Sequence, residues 1–191
     1  MTLLITGVVL WSVAHLIHAL APGLRQSLLD RFGEKPFKGL VALAIVAALV
    51  LIVMGWKAAP PASIEDFLYA PPTWGRHVTA LLVLIAFILF SASHGRNNIQ
   101  RIVRHPQLTA VIIWGIGHLL ANGESRSVIL FGGLTIWAVL EIILINRREG
   151  RRTVPEAAPL RKDAIAVVAG LVVYAVFAGA HQWLFGVSPF V

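Results

Sequence analysis

Residues 104–124 read RHPQLTAVIIWGIGHLLANGE, and this stretch decides how the rest of the chain is arranged. Pro106 suits the first turn of a helix because its φ angle is already helical and a first-turn N–H lacks a partner anyway. No charged residue follows until Glu124, yet His118 lies inside the run. The stretch therefore predicts a helix that carries an imidazole at membrane depth, between a basic start and a polar end.

Composition places the chain in a membrane. It has 191 residues, of which 58% are hydrophobic and 13% charged, with a mean hydropathy of +0.80. This apolar excess is too large for a soluble core of this size, so residues 1–191 are predicted to form one integral-membrane domain. The sequence contains no cysteine, which excludes disulfides, thiolate metal sites and cysteine nucleophiles. The net charge is +7. In a membrane protein the distribution of basic residues among the loops matters more than this total, so no nucleic-acid partner is expected.

Uncharged or nearly uncharged runs predict an all-α polytopic bundle of about six transmembrane helices, since each run has roughly the 17–25 residues that cross a bilayer. The first run has neither a basic start nor a small-residue cleavage pattern, so we expect it to be retained as a span. A short turn at residues 122–126 predicts an antiparallel hairpin of the fourth and fifth spans. The runs cover residues 3–22, 38–56, 76–94, 106–123, 127–146 and 164–185.

Lys and Arg residues concentrate in three of the loops between these runs. The positive-inside rule places those loops in the cytoplasm and both termini outside it. Tyr69 and Trp74 then lie near the outer interface, as in an aromatic belt. The opposite face has only Lys57, Arg76 and Arg126. The three basic loops hold Arg25, Arg31, Lys35 and Lys38; Arg96, Arg101 and Arg104; and Arg147, Arg148, Arg151, Arg152, Arg161 and Lys162.

Three loops have predicted structure of their own. Residues 22–37 place apolar side chains at helical spacing among charges, which predicts an amphipathic helix on the membrane surface that ends at Gly33. Residues 95–103 repeat this pattern on a smaller scale, with arginines able to meet lipid phosphates. The outer loop of residues 58–75 is rich in proline and predicts an irregular cap.

Histidine supplies most of the polar chemistry inside the predicted spans. Ionisable groups at membrane depth are costly and usually face the interior of a bundle. His15 and His18 share one face of the first span with Trp11, and His118 shares a face of the fourth span with Trp114. The alternative for each is a structural histidine that bonds a neighbouring helix, a carbonyl group or a headgroup. The remaining histidines are His77, His94, His105 and His181.

These side chains limit the cofactor that could bind. Without thiolates, and with Glu141 as the only carboxylate inside a span, the candidates are haem with imidazole axial ligands and an imidazole-rich metal centre. Haem suits an apolar bundle better because it is planar and apolar. At ~1.5 Å per residue, His15 lies roughly 6 Å to the cytoplasmic side of its span's middle, and His118 about 5 Å to the outer side of its own. A pairing of these two requires a tilted or shifted span.

Arg104 and His105 precede the N-terminus of the fourth span, where helix N–H groups attract negative charge. They are predicted to contact an anion or a substrate and are our candidate catalytic residues. The alternative is the plain basic start of a helix that enters the membrane. His105 and His118 lie about 13 residues, hence roughly 20 Å, apart, so they cannot serve one small site. Glu141 is expected to pair with a buried histidine or with Arg104, or to make a structural hydrogen bond between helices.

The order of these pieces resembles the NnrU family of bacterial inner-membrane proteins over nearly the whole chain. Each fragment is weak alone, and the combination carries the resemblance. The fragments are His15 with Leu24-Arg25, and residues 32–40 (FGEKPFKGL), 104–106 (RHP), 117–124 (GHLLANGE), 130–133 (LFGG) and 181–187 (HQWLFGV).

That family's name ties it to denitrification, through nitrite and nitric oxide reduction. It is similar to the zeta-carotene isomerases of plants and cyanobacteria, haem b proteins that isomerise one polyene double bond. The resemblance implies haem b held by His118 and either His15 or His18, with His105 as a further functional histidine. Those isomerases carry another histidine where this chain has Trp137, which counts against isomerase activity more than against haem. The implied partners are membrane lipid and either a lipophilic polyene or a small nitrogen oxide.

A more distant resemblance runs to membrane methyltransferases of the isoprenylcysteine carboxyl type. They share an Arg-His-Pro sequence at the start of a helical hairpin and a basic-acidic sequence at its end, here Arg147-Arg148-Glu149. The resemblance implies S-adenosylmethionine binding. Where that family has a tyrosine and a glycine after the proline, this chain has Leu108 and Ala110. A third class is a non-enzymatic membrane scaffold or maturation factor for denitrification enzymes.

Overall fold

The computed structural model describes residues 1–59 and 63–189, apart from the side chain of His18. The predicted all-helical bundle is confirmed. A π-helical turn, Val128–Gly132, lies within one continuous helix, Ser125–Glu149. The helices are α1 Thr2–Leu20, α2 Pro22–Phe32, α3 Glu34–Ala58, α4 Gly75–Ala92, α5 Ile99–Ile102, α6 Pro106–Ala121, α7 Ser125–Ser127, α8 Gly133–Glu149 and α9 Leu160–Phe185.

Length and composition make four helices able to cross a membrane: α3, α4, α9 and the continuous helix Ser125–Glu149. A fifth candidate is the pair Thr2–Ile17 and Pro22–Phe32, which is bent by 80°. The chain is therefore an integral membrane protein with four to five candidate spans, and the predicted count of six is not confirmed. The difference lies mainly in α6, which has 16 residues and a length of about 24 Å, short of the ~30 Å hydrocarbon layer.

The helix predicted within residues 22–37 is confirmed as α2, which is capped by Gly33 with φ of 80°, and its place on the membrane surface stays a prediction. Glycine tolerates this left-handed conformation, in which a side chain would be strained. The smaller helix predicted within residues 95–103 is confirmed as the four-residue α5.

Neighbouring helices pack in the order α3, α1, α8, α6, α4, α9. The short turn at residues 122–124 returns the chain so that α8 packs beside α6, which confirms the predicted hairpin. As a result, α1, α8 and α6 lie together in the middle of the row. His15 is on α1 and His118 is on α6, and both helices pack against α8.

Small residues set how closely these helices approach. Helices in lipid gain little from the hydrophobic effect, so close van der Waals contact between backbones stabilises them. A Cβ added at Gly55 of α3 would lie 2.7 Å from the Cα of Leu4 on α1, and one added at Gly170 of α9 would lie 2.6 Å from the Cα of Ile88 on α4. At these two crossings one backbone therefore rests directly on another.

The loop between α3 and α4 ends in a strap, residues 63–74, that closes over the C-terminal end of α6. The predicted irregular cap contains a 3-10 turn, Ile64–Asp66, while Pro60 and Pro61 lie outside the described residues. Phe67 forms an antiparallel bridge with Glu124, and the Tyr69 hydroxyl donates to the carbonyl oxygens of Leu119 and Asn122, the latter at 2.9 Å. Burial, followed by the charge of Glu124, raises the pKa of Tyr69, so the phenol stays a protonated donor at neutral pH.

We expect Tyr69→Phe to loosen this strap and to lower stability by about 1 kcal/mol, because the last carbonyls of α6 lose their donor. Hydrogen exchange at residues 119–124 should speed up while exchange in α3 does not change. Tyr174→Phe is the matched control, since the Tyr174 ring packs edge-on against Phe87 and its hydroxyl makes no hydrogen bond within the described residues. Equal effects of the two variants would contradict the strap.

Candidate functional site

His15 is held by its own helix. Its Nδ1 lies 2.8 Å from the carbonyl oxygen of Trp11, one turn back on α1. A carbonyl oxygen only accepts, so Nδ1 carries the proton, and the neutral ring has its lone pair on Nε2. The ring centroid lies 4.4 Å from that of Trp11 and 4.9 Å from that of Trp137 on α8. His15 therefore presents the lone pair of Nε2 inside an aromatic cluster.

His118 has the same local arrangement on α6. Its Nδ1 lies 2.9 Å from the carbonyl oxygen of Trp114, again one turn back, which leaves the lone pair on Nε2. The ring stacks on Phe131, with centroids 4.4 Å apart and planes at 22°, and lies 4.9 Å from Trp114. Phe131 belongs to the π-helical turn, so a local irregularity of the helix places it against His118.

The two imidazoles lie at different levels of one three-helix junction. His15 contacts Trp137 and His118 contacts Phe131, and these partners are six residues apart on one helix, roughly 9 Å along its axis. The structure thus brings both histidines to α8 without placing their rings in contact. Within the described residues, no group of three or more His, Cys, Asp and Glu could hold a metal ion. The arrangement does not favour an imidazole-rich metal centre.

Among the polar atoms around His15, Nε1 of Trp11 lacks a hydrogen-bond partner within the described part of the chain. Nε1 of Trp137 and Oε2 of Glu141 lie one turn apart on α8 and approach each other without a well-formed hydrogen bond. Trp137 is only 6% exposed. Glu141 and His15 form no hydrogen bond or ion pair within the described residues, so the predicted pairing of Glu141 with a buried histidine is not confirmed. The alternative partner, Arg104, pairs with Glu149 instead. Since an unpaired polar group in an apolar setting is costly, this junction retains unused hydrogen-bonding capacity.

The other histidines divide by position. His181 on α9 interacts electrostatically with His118, and its Nδ1 lies 2.7 Å from the carbonyl oxygen of Val187. His94 bonds the Phe90 carbonyl at 3.1 Å, in the pattern of His15, but it is exposed beyond the end of α4. The side chain of His18 lies outside the described residues, so its predicted role stays a prediction.

Arg104 and His105 line a cleft of about 680 Å³ at the start of α6. Arg104 donates to the carboxylate of Glu149 at 3.2 Å and to the carbonyl oxygen of Gly150 at 3.0 Å. His105 Nε2 lies 2.9 Å from Oδ1 of Asn146. The predicted basic start of α6, Arg104 and His105, therefore faces the end of α8, at the far end of α6 from His118.

Contacts between distant segments join the loops beside this cleft, and the sequence did not reveal them. Arg152 donates to the carbonyl oxygens of Gln100 and Ile102, the latter at 3.1 Å. Asn98 donates its backbone N–H to Oδ1 of Asp163 and its side-chain amide N–H to Oδ2, both at 2.6 Å. For Arg152, Asn98 and Asp163 the sequence showed only that polar side chains lie beside the ends of predicted spans, which does not predict their partners.

Fold and site together define a helical integral membrane protein, with a histidine- and tryptophan-lined junction and a basic cleft at the start of α6. The chain belongs to the NnrU family, since the family model described as NnrU protein matches residues 3–189. No curated protein and no solved structure matches the chain.

Proposed function

We propose that this protein binds haem b, with His118 and a histidine of α1 as axial ligands. His15 is our choice on α1, and His18 is the alternative. The observation that carries the proposal is the shared local geometry of His15 and His118, whose Nδ1 atoms are bound to backbone carbonyls. Such a bond orients an imidazole, fixes its tautomer and raises the basicity of Nε2, as is usual for metal-ligating histidines.

The donor types of the junction match those that haem needs. Joint ligation by His15 and His118 would require one of their helices to shift, since their aromatic partners lie roughly 9 Å apart along one helix. Axial ligation needs one or two imidazoles rather than a cluster of three, and two are available on helices that flank α8. Trp137 occupies the position of the additional histidine of the isomerases, and an indole does not ligate iron. Trp11, Trp114 and Phe131 supply an aromatic lining against the two imidazoles.

When bound, haem would supply one-electron chemistry, and it would supply Lewis-acid chemistry only if one of the two histidines were released on reduction. Trp11 would offer its free N–H group to an oxygen of a substrate in the junction. Arg104 and His105 would contact an anionic substrate at the cleft. The resulting function is redox-linked chemistry related to denitrification, or cis-trans isomerisation of a polyene lipid, in the bacterial inner membrane. The distribution of Lys and Arg supports cytoplasmic basic loops and outer termini.

Absorption spectra of the purified protein, oxidised and then reduced, test haem binding directly. Expression with adequate haem supply should give a Soret band that shifts on reduction, together with a haem content near one per chain. Protein that is folded and monodisperse in detergent but has no Soret band would overturn the proposal.

A methyltransferase is our second candidate function, on one observation. The salt bridge from Arg104 to Glu149 brings the Arg-His-Pro sequence and Glu149 of the basic-acidic sequence into one cleft. Titration with S-adenosylmethionine by calorimetry should then give heat that Glu149→Gln reduces. Absence of heat with the wild-type protein would remove this candidate.

A further inference from the structure

The cleft at the start of α6 has an excess of positive charge. Its lining includes Arg104, Arg151 and Arg152 against a single carboxylate, Glu149. The first turn of α6 adds unpaired helix N–H groups, which favour an anion. The cleft is therefore suited to a negatively charged group.

Two of these arginines are already held in place. Arg152 is bound by the backbone of Gln100 and Ile102, and Arg104 by Glu149 and Gly150. A donor that is fixed before binding loses less conformational entropy when an anion arrives. Arg151 also lines the cleft, yet it makes no hydrogen bond or ion pair within residues 1–59 and 63–189. Its charge is available to a ligand.

One wall of the cleft is apolar. Leu108 and Ile145 line it from α6 and α8, and Leu108 also packs against the buried cluster of Leu16, Trp137 and Ala138. The wall therefore leads from the charged mouth towards the apolar junction of α1, α6 and α8. A free inorganic anion has no apolar part that could contact this wall.

We propose that the cleft binds the phosphate head of an anionic membrane amphiphile, with its apolar chain along the side formed by Leu108 and Ile145. Arg151 supplies the free charge, and Arg104 and Arg152 supply positioned donors. This site goes beyond the haem proposal and does not depend on it, because it lies at the other end of α6 from His118.

The test uses the full chain in detergent and three probes: dioctanoyl phosphatidic acid, dioctanoyl phosphatidylcholine and inorganic phosphate. Calorimetry should give the tightest binding for phosphatidic acid, by about tenfold over either other probe. Arg151→Glu should weaken that binding by about tenfold or more, because it places a negative charge beside the phosphate. Arg101→Glu is the matched control, since Arg101 is exposed on α5 outside the cleft lining, and it should leave binding unchanged.

Several results would overturn the proposal. Equal affinity for phosphatidylcholine would exclude recognition of the charge, and equal affinity for inorganic phosphate would exclude the apolar wall. Equal weakening by Arg151→Glu and Arg101→Glu would mean unspecific attraction to a basic surface, and tighter binding of S-adenosylmethionine than of phosphatidic acid would assign the cleft to a different ligand. Absorption spectra of the same preparations distinguish failure of this site from failure of haem binding.

Discussion

His118→Ala is expected to lower the haem content of the purified protein by about tenfold or more, because Nε2 of His118 is the proposed anchoring ligand. His15→Ala should retain part of the haem but change the Soret maximum, since one axial position loses its imidazole. Haem content and oxidised and reduced spectra of the detergent-solubilised variants provide the measurement.

His94→Ala is the control for this pair, because His94 makes the same local bond to a carbonyl but is exposed. Its spectrum should match the wild type. His181→Ala distinguishes the second ligand, since His181 is the histidine whose charge acts on His118. A spectral change with His181→Ala and none with His15→Ala would contradict ligation by α1.

Gly55→Ala is expected to lower stability by about 3 kcal/mol, the upper end of the usual range for overpacking. The added Cβ would lie 2.7 Å from the Cα of Leu4 and 2.9 Å from the carbonyl carbon of Leu3. Both contacts are with backbone, so no side-chain rotation can relieve them, and α1 must move away from α3. Thermal unfolding in detergent, followed by tryptophan fluorescence, measures the effect.

Gly39→Ala lies on the same helix and provides the comparison. Nothing lies within 4 Å of a Cβ added at Gly39, so the change should leave the melting temperature unaltered or raise it slightly through helix propensity. If Gly55→Ala melts like Gly39→Ala, the close approach of α1 and α3 is wrong.

Features that depend on local sequence were predicted well. The proline-started helix from Pro106, the helix capped by Gly33 and the hairpin around residues 122–124 are all present. Each follows from interactions within a few residues, such as a proline at a first turn or a glycine at a helix end. Membrane residence follows equally directly, because it depends on summed composition.

The number of spans was less predictable, because hydropathy does not fix where a helix ends. The uncharged run continues to residue 123, yet α6 ends at Ala121, where Tyr69 bonds the carbonyl oxygens of Leu119 and Asn122. That partner lies about 50 residues away in sequence. The π-helical turn of Val128–Gly132 likewise has no local signal that we recognised.

The sequence by itself determined the class of protein, its helices, and the candidate status of His15, His118, Arg104 and His105. Only the tertiary structure placed Trp137 on His15, Phe131 on His118 and Glu149 on Arg104. Composition and helical spacing are properties of one segment, whereas a site is a contact between segments. Backbone approach at small residues and hydrogen bonds across distant loops set those contacts, and neither can be read from the periodicity of a single helix.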